Sequence, residues 1–380
     1  MTAKERILAA INHQKPDRIP MDLGGAACSM VDQAYFHLKE YMGIAGDIAP
    51  YRKGANVCYY DERIYDRLGI DVRRVFARQS DEYPKYHEDG TFSNEWGLMQ
   101  RDTGLYVETV KNPLADAELE DLESYPWPAA KDMFDTAGMR ERAKQLHEEN
   151  EYAISLRMPC NGIFEIACWL RGMENFMVDT ITDPEFAHGL VDKILQVQMN
   201  IYGLLLDEAG PFVDIVESGD DYGSQKSLLI SPEAYREFIF PARKKLNAWI
   251  KEKAPQAKIY LHSCGAIADI IEDLIDCGVD ILNPVQTSAC GMDPLTLKQR
   301  FGQRICFHGA VDTQRTMLGS AQEVEAEVKN LIDILGQDGG YIISSCNHIQ
   351  GDIPPENIVR LFSYAREYSS CENRETVKEP

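Results

Sequence analysis

The chain has 380 residues, of which 44% are hydrophobic and 26% charged, as in globular proteins that bury a core. Its formal net charge of −22 argues against nucleic acid or an anionic membrane surface as a partner, because both would repel it. No run of eighteen apolar residues is present, and the ten cysteines follow no disulfide-framework spacing. We therefore expect a cytoplasmic protein whose cysteines stay reduced.

Periodicity and turn residues divide the chain into elements. Thr2–Asn12 has helical spacing, and a short strand follows over Arg18–Leu23. Asp-Gly and Thr-Gly turns between aromatic and β-branched residues predict a β-hairpin excursion over 83–110. From Ala153 onward, strands and helices alternate regularly. The expected strands are centred near residues 20, 74, 155, 214, 260, 281, 306 and 343.

This alternation of strands and helices predicts the fold class. Eight strands with intervening helices favour a (β/α)8 TIM barrel that forms one domain over residues 1–370, preceded by the N-terminal helical segment. A doubly wound sheet is the competing α/β fold. No Gly-x-Gly-x-x-Gly motif follows a predicted strand, so a dinucleotide site is not supported. Residues 371–380 are expected to form a polar tail.

Two predicted strands end on residues that bind soft metals. The run KIYLHSCG, residues 258–265, delivers His262 and Cys264 on one face, because side chains alternate along a strand. The run GGYIISS, residues 339–345, ends on Cys346, and His348 follows. A cysteine in an apolar run is more often a small buried hydrophobe, but these lie where α/β barrels carry their chemistry. An imidazole and two thiolates suit a catalytic zinc with one open position.

Long stretches of the chain resemble a known superfamily. KERILAAINHQKPDRIPMDLGG (4–25), ESGDDYGSQKSLLISPEAYREFIFPARKKL (217–246), HGAVDTQRTMLGSAQEVEAEVKNLI (308–332) and GGYIISSCNHIQGDIPPENI (339–358) are similar to the uroporphyrinogen decarboxylase superfamily. That superfamily is built on a (β/α)8 barrel. Its decarboxylases carry an Arg-Gln-Ala-Gly-Arg-Tyr segment, whereas the corresponding region here, LGGAACSMVDQAYF (23–36), has no arginine. His262, Cys264 and Cys346 instead match the His-x-Cys…Cys zinc motif of its cobalamin-dependent methyltransferases.

The resemblance implies a zinc-dependent methyltransferase that works with cobalamin on a separate corrinoid protein, because the chain has no Asp-x-His-x-x-Gly corrinoid module. The favoured direction moves a methyl group from a small methylated substrate, such as a methoxylated aromatic, to cob(I)amide. Aromatic residues that could wall such a pocket are Tyr59, Tyr60, Trp96 and Tyr222. The alternatives are transfer from a methylcorrinoid to a thiol such as coenzyme M, a metal-free decarboxylase, and a non-catalytic corrinoid- or tetrapyrrole-binding module. The sequence leaves open whether the protein is a homodimer.

Other polar residues follow the predicted strands, and the resemblance suggests roles for them. Glu217 is a candidate fourth zinc ligand and catalytic residue, with the alternative that it caps a loop. Asp221 and His308 are further catalytic candidates, although His308 is more readily interpreted as a hydrogen-bonded core histidine. The candidate substrate-binding residues are Asp22, Tyr222, Asn283 and His348.

Overall fold

The computed structural model describes residues 1–52, 55–103 and 107–370, so the predicted tail 371–380 lies outside the described residues. The strands are β1 (Val72–Val75), β2 (Arg78–Gln79), β3 (Lys85–Tyr86), β4 (Thr91–Ser93), β5 (Met99–Asp102), β6 (Val107–Lys111), β7 (Phe134–Asp135), β8 (Ala153–Leu156), β9 (Ile215–Gly219), β10 (Lys258–His262), β11 (Ile281–Asn283), β12 (Cys306–Val311) and β13 (Tyr341–Ser345).

The helices are α1 (Ala3–Ile11), α2 (Asp32–Tyr41), α3 (Glu62–Leu68), α4 (Asp121–Ser124), α5 (Ala130–Met133), α6 (Met139–Glu149), α7 (Ile163–Arg171), α8 (Met173–Thr182), α9 (Pro184–Ala209), α10 (Pro232–Ala234), α11 (Phe240–Lys253), α12 (Ile271–Asp276), α13 (Pro294–Phe301), α14 (Ala321–Leu335) and α15 (Pro355–Ser369). A π-helical turn, Tyr235–Ile239, joins α10 to α11. Across the described part of the chain, no helix combines the length and apolar character needed to cross a membrane.

The central sheet consists of seven parallel strands in the order β1-β8-β9-β10-β11-β12-β13. Each of these strands contributes one side chain to a separate apolar cluster, namely Val72, Ala153, Ile215, Tyr260, Ile281, Cys306 and Ile342. Ile7, Ala10 and Ile11 of α1 complete this cluster. One side chain from every strand can meet in one cluster only if the sheet curls, so the architecture is α/β and TIM-barrel-like.

The predicted strand near residue 20 is a single parallel bridge between Met21 and Ile343 of β13. The backbone nitrogen of Asp22 donates to Ile343 at 3.0 Å, and that of Asp71, just before β1, donates to Met21 at 2.9 Å. Residues 20–22 therefore bond to both outer strands of the sheet. Proline at position 20 lacks a backbone N–H, which limits how far a ladder can extend here.

The excursion predicted over 83–110 has more strands than a hairpin. β3, β4, β5 and β6 form a four-stranded antiparallel sheet in chain order. In the β4–β5 connection, Asn94 Oδ1 accepts from the backbone nitrogens of Trp96 and Leu98, both at 3.0 Å. Tyr125 donates its hydroxyl to the carbonyl of Trp96 at 2.5 Å. These bonds fix the backbone around Trp96, a buried residue in the wall of a cavity described below.

Candidate metal centre

The loops after β9 and β10 are packed tightly together. Gly265 has φ +84°, and a side chain there would lie 2.5 Å from the backbone carbon of Gly223, so this close approach requires glycine. The approach brings Asp221 against the β10 loop. The backbone nitrogen of Cys264 donates to Asp221 Oδ1 at 2.7 Å. The loop after β9 thus supplies a carboxylate beside the thiol that follows β10.

His262, Cys264 and Asp221 form a cluster of three potential metal ligands, with all three ligand atoms within 4.8 Å of one another. His262 Nε2 lies 3.2 Å from Cys264 Sγ and 3.5 Å from Asp221 Oδ1. Zinc bonds to nitrogen, sulfur and oxygen are about 2.0–2.3 Å long, so one ion can contact atoms at these separations. The chemistry of this donor set and its spacing fit zinc.

A chain of buried hydrogen bonds holds the imidazole of His262 in one tautomer. Asn283 Oδ1 accepts from His262 Nδ1 at 2.6 Å, which leaves Nε2 free to bind a metal. Asn283 Nδ2 donates to His308 Nδ1 at 2.8 Å. His308 Nε2 in turn donates to Asp22 Oδ2 at 2.9 Å. Asp22, through His308 and Asn283, therefore orients the ring of His262.

The electrostatics of the cluster favour a positive charge at His262. Burial lowers the pKa of His262, but the charges of Cys264 and Asp221 and the bond to Asn283 outweigh that effect and raise the pKa to about 10. These neighbours therefore favour a proton on the imidazole of His262. A bound zinc would replace that proton, so metal binding here is coupled to proton release.

Glu217 lies at a different level of the sheet from His262. In the β9–β10 register Glu217 is opposite Tyr260, whereas His262 is opposite Gly219. Its Oε1 accepts from Arg74 Nε at 2.8 Å and from Ser155 Oγ at 2.9 Å. Its Oε2 accepts from the backbone nitrogens of residues 26 and 158. Both oxygens are thus bonded within the protein, and in this arrangement the carboxylate nearest His262 is that of Asp221, not Glu217.

Arg74 on β1 links Glu217 to the series of hydrogen bonds that ends at His262, and the sequence analysis did not identify this arginine. Its guanidinium bonds both oxygens of Asp22, at 2.7 and 2.6 Å, and its side chain is 1% exposed. Burial raises the pKa of Asp22, but Arg74 and His308 outweigh it and hold the pKa well below its usual range. The sequence did contain one indication of this role, an arginine inside the buried strand VRRV. A buried charged side chain is normally paired with a group of opposite charge, so this arginine predicts a buried acidic partner.

Cys346 and Tyr222 are predicted site residues that do not belong to the three-ligand cluster. Cys346 Sγ is 3.6 Å from Thr313 Oγ1 and is not one of the three clustered ligand atoms. Burial, together with the nearby charge of Cys264, raises the pKa of Cys346. Tyr222 is fully buried and donates its hydroxyl to Asp220 at 3.0 Å.

The four predicted substrate-binding residues therefore separate into two environments. Asp22, Asn283 and Tyr222 are buried and bonded to other protein groups. His348 lies in a cavity wall, and its Nδ1 accepts from the backbone nitrogen of Ser29 at 3.2 Å. Burial and nearby positive charges lower the pKa of His348 to about 3, so this imidazole is neutral.

A cavity of about 350 Å³ lies beside the cluster, bounded by His348 on one side and by the excursion on the other. Its aromatic lining is Tyr51, Phe76, Tyr83, Trp96, Phe134 and Trp169. A side chain at Gly219 would lie 2.6 Å from Met158 Sδ in the cavity wall and 3.4 Å from His262 Cβ. Gly219 therefore lies between the cavity wall at Met158 and His262.

Comparison with known proteins defines the family. A sequence model of the family described as "Uroporphyrinogen decarboxylase (URO-D)" matches residues 103–368, more than half of the chain. The protein therefore belongs to this family, and the resemblance inferred from its sequence is confirmed.

Particular relatives include two kinds of enzyme. The chain is 25% identical over 186 residues to the uroporphyrinogen decarboxylase of Synechocystis sp., covering 49% of each chain. It therefore spans about half the length of that curated relative. It is 33% identical over 117 residues to the methylated-thiol–coenzyme M methyltransferase of Methanosarcina mazei, covering 31% of this chain and 29% of that one. Among solved structures, a methyltransferase from Methanosarcina mazei has a TM-score of 0.68 at 20% identity, covering 97% and 99% of the two chains. At this identity the likeness supports a shared fold.

Proposed function

We propose that this protein is a zinc-dependent methyltransferase that exchanges a methyl group between a small substrate and a corrinoid carried by a separate protein. The observation that carries this proposal is the pairing of His262 Nε2 with Cys264 Sγ at 3.2 Å, with the imidazole tautomer set by Asn283. Asp221 Oδ1 lies 3.5 Å from the same nitrogen, so an imidazole, a thiol and a carboxylate, all donor types that zinc takes, converge on one point. The family also contains a relative, 33% identical over 117 residues, whose name is that of a methyltransferase.

The residues that would hold the metal are His262 and Cys264, with Asp221 and Cys346 as the candidates for the third position. A neutral imidazole, one thiolate and one further anionic ligand balance the charge of a zinc ion. When bound, zinc supplies Lewis-acid stabilisation of the negative charge that develops on the leaving atom of the substrate. The chain from Asp22 to His262 contributes orientation, because it fixes which imidazole nitrogen faces the cluster.

The cavity favours a methoxylated aromatic as the methyl donor. Its volume of about 350 Å³ is at the lower end of the range for small-molecule sites, about 300–1,000 Å³, and suits a single-ring substrate. Its walls are rich in aromatic rings, and it borders His262 through Gly219. The methyl group of such a substrate would pass to the cob(I)amide of the partner, leaving a phenolate.

Transfer to a thiol is the second candidate function. The Methanosarcina mazei relative is named for a methylated thiol and for coenzyme M, and it shares 33% identity over 117 residues with this chain. A thiol would use the same His262–Cys264 centre, since zinc lowers the pKa of a coordinating thiol. In this direction the corrinoid would be the methyl donor.

A methyl-transfer assay combined with metal analysis tests the proposal. Purified protein is analysed for zinc and then incubated with reduced cobalamin and methoxylated aromatics, methanol, methylamines or methylated thiols. We expect zinc in the purified protein and methylation of the cobalamin, visible in its absorption spectrum. Methylcobalamin with 2-mercaptoethanesulfonate tests the thiol direction.

Two serine variants provide a matched comparison. Cys264→Ser is expected to lose zinc and methyl transfer, because the hydroxyl is a poor zinc ligand. Cys290→Ser is expected to retain both, since Cys290 is exposed and outside the cluster. Full zinc occupancy and full activity of Cys264→Ser would contradict the proposal. Decarboxylation of a porphyrinogen by metal-free protein would instead support the decarboxylase alternative.

A further inference from the structure

The cavity beside the metal centre carries positive charge although the protein as a whole is strongly acidic. The formal net charge of the chain is −22. The charged residues of the cavity lining are nevertheless two arginines, Arg52 and Arg157, and one carboxyl, Glu95. Burial raises the pKa of Glu95. A cation-lined cavity in so acidic a protein indicates that this lining has a specific ligand.

Arg157 is the better positioned of the two arginines. Its backbone nitrogen donates to the carbonyl of Val75 at 3.0 Å, which fixes it directly after β8. The residue is 7% exposed, and its guanidinium lies 5.0 Å from the centroid of the Tyr51 ring. Within the described ranges, no carboxylate or carbonyl bonds this guanidinium. Buried charges are normally paired, so the absence of a protein partner points to an anion from outside the chain.

Arg52 lies against the same tyrosine. Its guanidinium carbon is 5.4 Å from the Tyr51 centroid, and its Nε donates to the carbonyl of Val57 at 2.7 Å. Burial and the charge of Arg157 lower the pKa of Arg52. Two guanidinium groups around one ring repel each other unless an anion lies between them. A planar carboxylate suits guanidinium groups, which donate paired, parallel hydrogen bonds.

We propose that Arg157 and Arg52 bind the carboxylate of an aromatic acid whose ring occupies the cavity between Phe76, Trp96, Phe134 and Trp169. This inference rests on the proposed function, because it names the chemical class of the methylated substrate as a methoxylated benzoate. The arginines determine specificity, and the aromatic walls hold the ring. The side of the cavity formed by Met158 and His348 then receives the ring edge nearest the metal centre.

The test compares two ligands of nearly identical shape, 4-methoxybenzoate and its neutral amide 4-methoxybenzamide. Binding to the full-length protein is measured by calorimetry, with and without added zinc. A hydrogen bond to a charged group is worth about 1.5–3 kcal/mol, so we expect the acid to bind about tenfold or more tightly than the amide. Arg157→Gln should reduce this preference to less than about threefold.

Stability and a control variant separate recognition from folding. Arg157→Gln removes a guanidinium that bonds no described residue, so its melting temperature should equal or exceed that of the wild type. Arg140→Gln, on the exposed surface of α6, should keep the full preference for the acid. A preference that survives Arg157→Gln, or equal binding of acid and amide by the wild type, would overturn the inference.

A third ligand distinguishes the anion. If 2-mercaptoethanesulfonate binds and neither benzoate nor benzamide does, the arginines recognise the sulfonate of a thiol and the aromatic-acid inference is wrong. Binding is measured without a corrinoid, so this result is separate from that of the methyl-transfer assay. Methyl transfer from neutral methoxyarenes without any preference for acids would uphold the proposed function while refuting this inference.

Discussion

Replacing Asn283 by leucine tests whether the buried series of hydrogen bonds orients His262 for the proposed metal site. Asn283 is fully buried and bonds His262 Nδ1 at 2.6 Å and His308 Nδ1 at 2.8 Å. Leucine is close to asparagine in size but leaves His262 Nδ1 and His308 Nδ1 without a hydrogen-bond partner. Each unsatisfied buried group costs about 1–3 kcal/mol, so the free energy of unfolding should fall by roughly 2–6 kcal/mol. Loss of the hydrogen bond that orients His262 should also weaken zinc binding by about 10–100-fold.

Urea unfolding measures the stability of this variant, and competition with a chromogenic chelator measures its zinc affinity. Asn357→Leu is the matched control, because Asn357 is also buried and its Nδ2 bonds two carbonyls, at 3.0 and 2.8 Å, away from the cluster. The control should lose stability without losing zinc affinity. If Asn283→Leu binds zinc as tightly as the wild type, the hydrogen bond from Asn283 does not orient His262 for the metal, and this prediction is wrong.

Three further substitutions address the buried charges. Arg74→Met leaves Asp22 and Glu217 without their cation, so we expect a loss of about 3–5 kcal/mol in urea unfolding, and an unchanged midpoint would contradict this. Glu217→Gln should keep its zinc by metal analysis and lose about 1.5–3 kcal/mol of stability, whereas loss of zinc would support Glu217 as a zinc ligand. Glu165→Gln tests the pH dependence of stability. Burial and the charge of Asp220 raise the pKa of Glu165 in the folded protein. The stability of the wild type should therefore fall as the pH rises above 4.5, the ordinary pKa of glutamate. Unfolding at a series of pH values should show a smaller fall in the variant.

The sequence predicted the features that depend on local pattern. Alternating strands and helices indicated an α/β fold, and the strands near residues 74, 155, 260, 281, 306 and 343 lie where they were expected. The spacing of His262 and Cys264 placed both on one side of the chain, and the structure has their donor atoms 3.2 Å apart. The alternation of elements follows from periodicity, which a single sequence records directly. Cys264 lies beyond the end of β10 at His262, so its approach to His262 also depends on the loop.

Features that depend on pairing between distant segments were not predictable in this way. The segment around Met21 has the composition of a strand, but it forms a single bridge, to Ile343, and the proline at position 20 has no N–H with which to extend a ladder. The bond from Arg74 to Asp22 and Glu217 likewise joins three separate regions. No local sequence pattern indicates which buried acidic residue will form an ion pair with a buried arginine.

The register between β9 and β10 determines where the carboxylates of Glu217 and Asp221 lie relative to His262. The sequence suggested that β9 ends at Glu217, which would place its carboxylate at the level of His262. β9 instead continues to Gly219, and this residue is the one opposite His262. Glu217 is therefore two residues deeper, where Arg74 balances its charge, while Asp221 lies two residues beyond the strand and reaches the cluster. The strand is two residues longer than its sequence pattern suggested, so the positions of the two carboxylates relative to His262 can be assigned only when the register with the neighbouring strand is known.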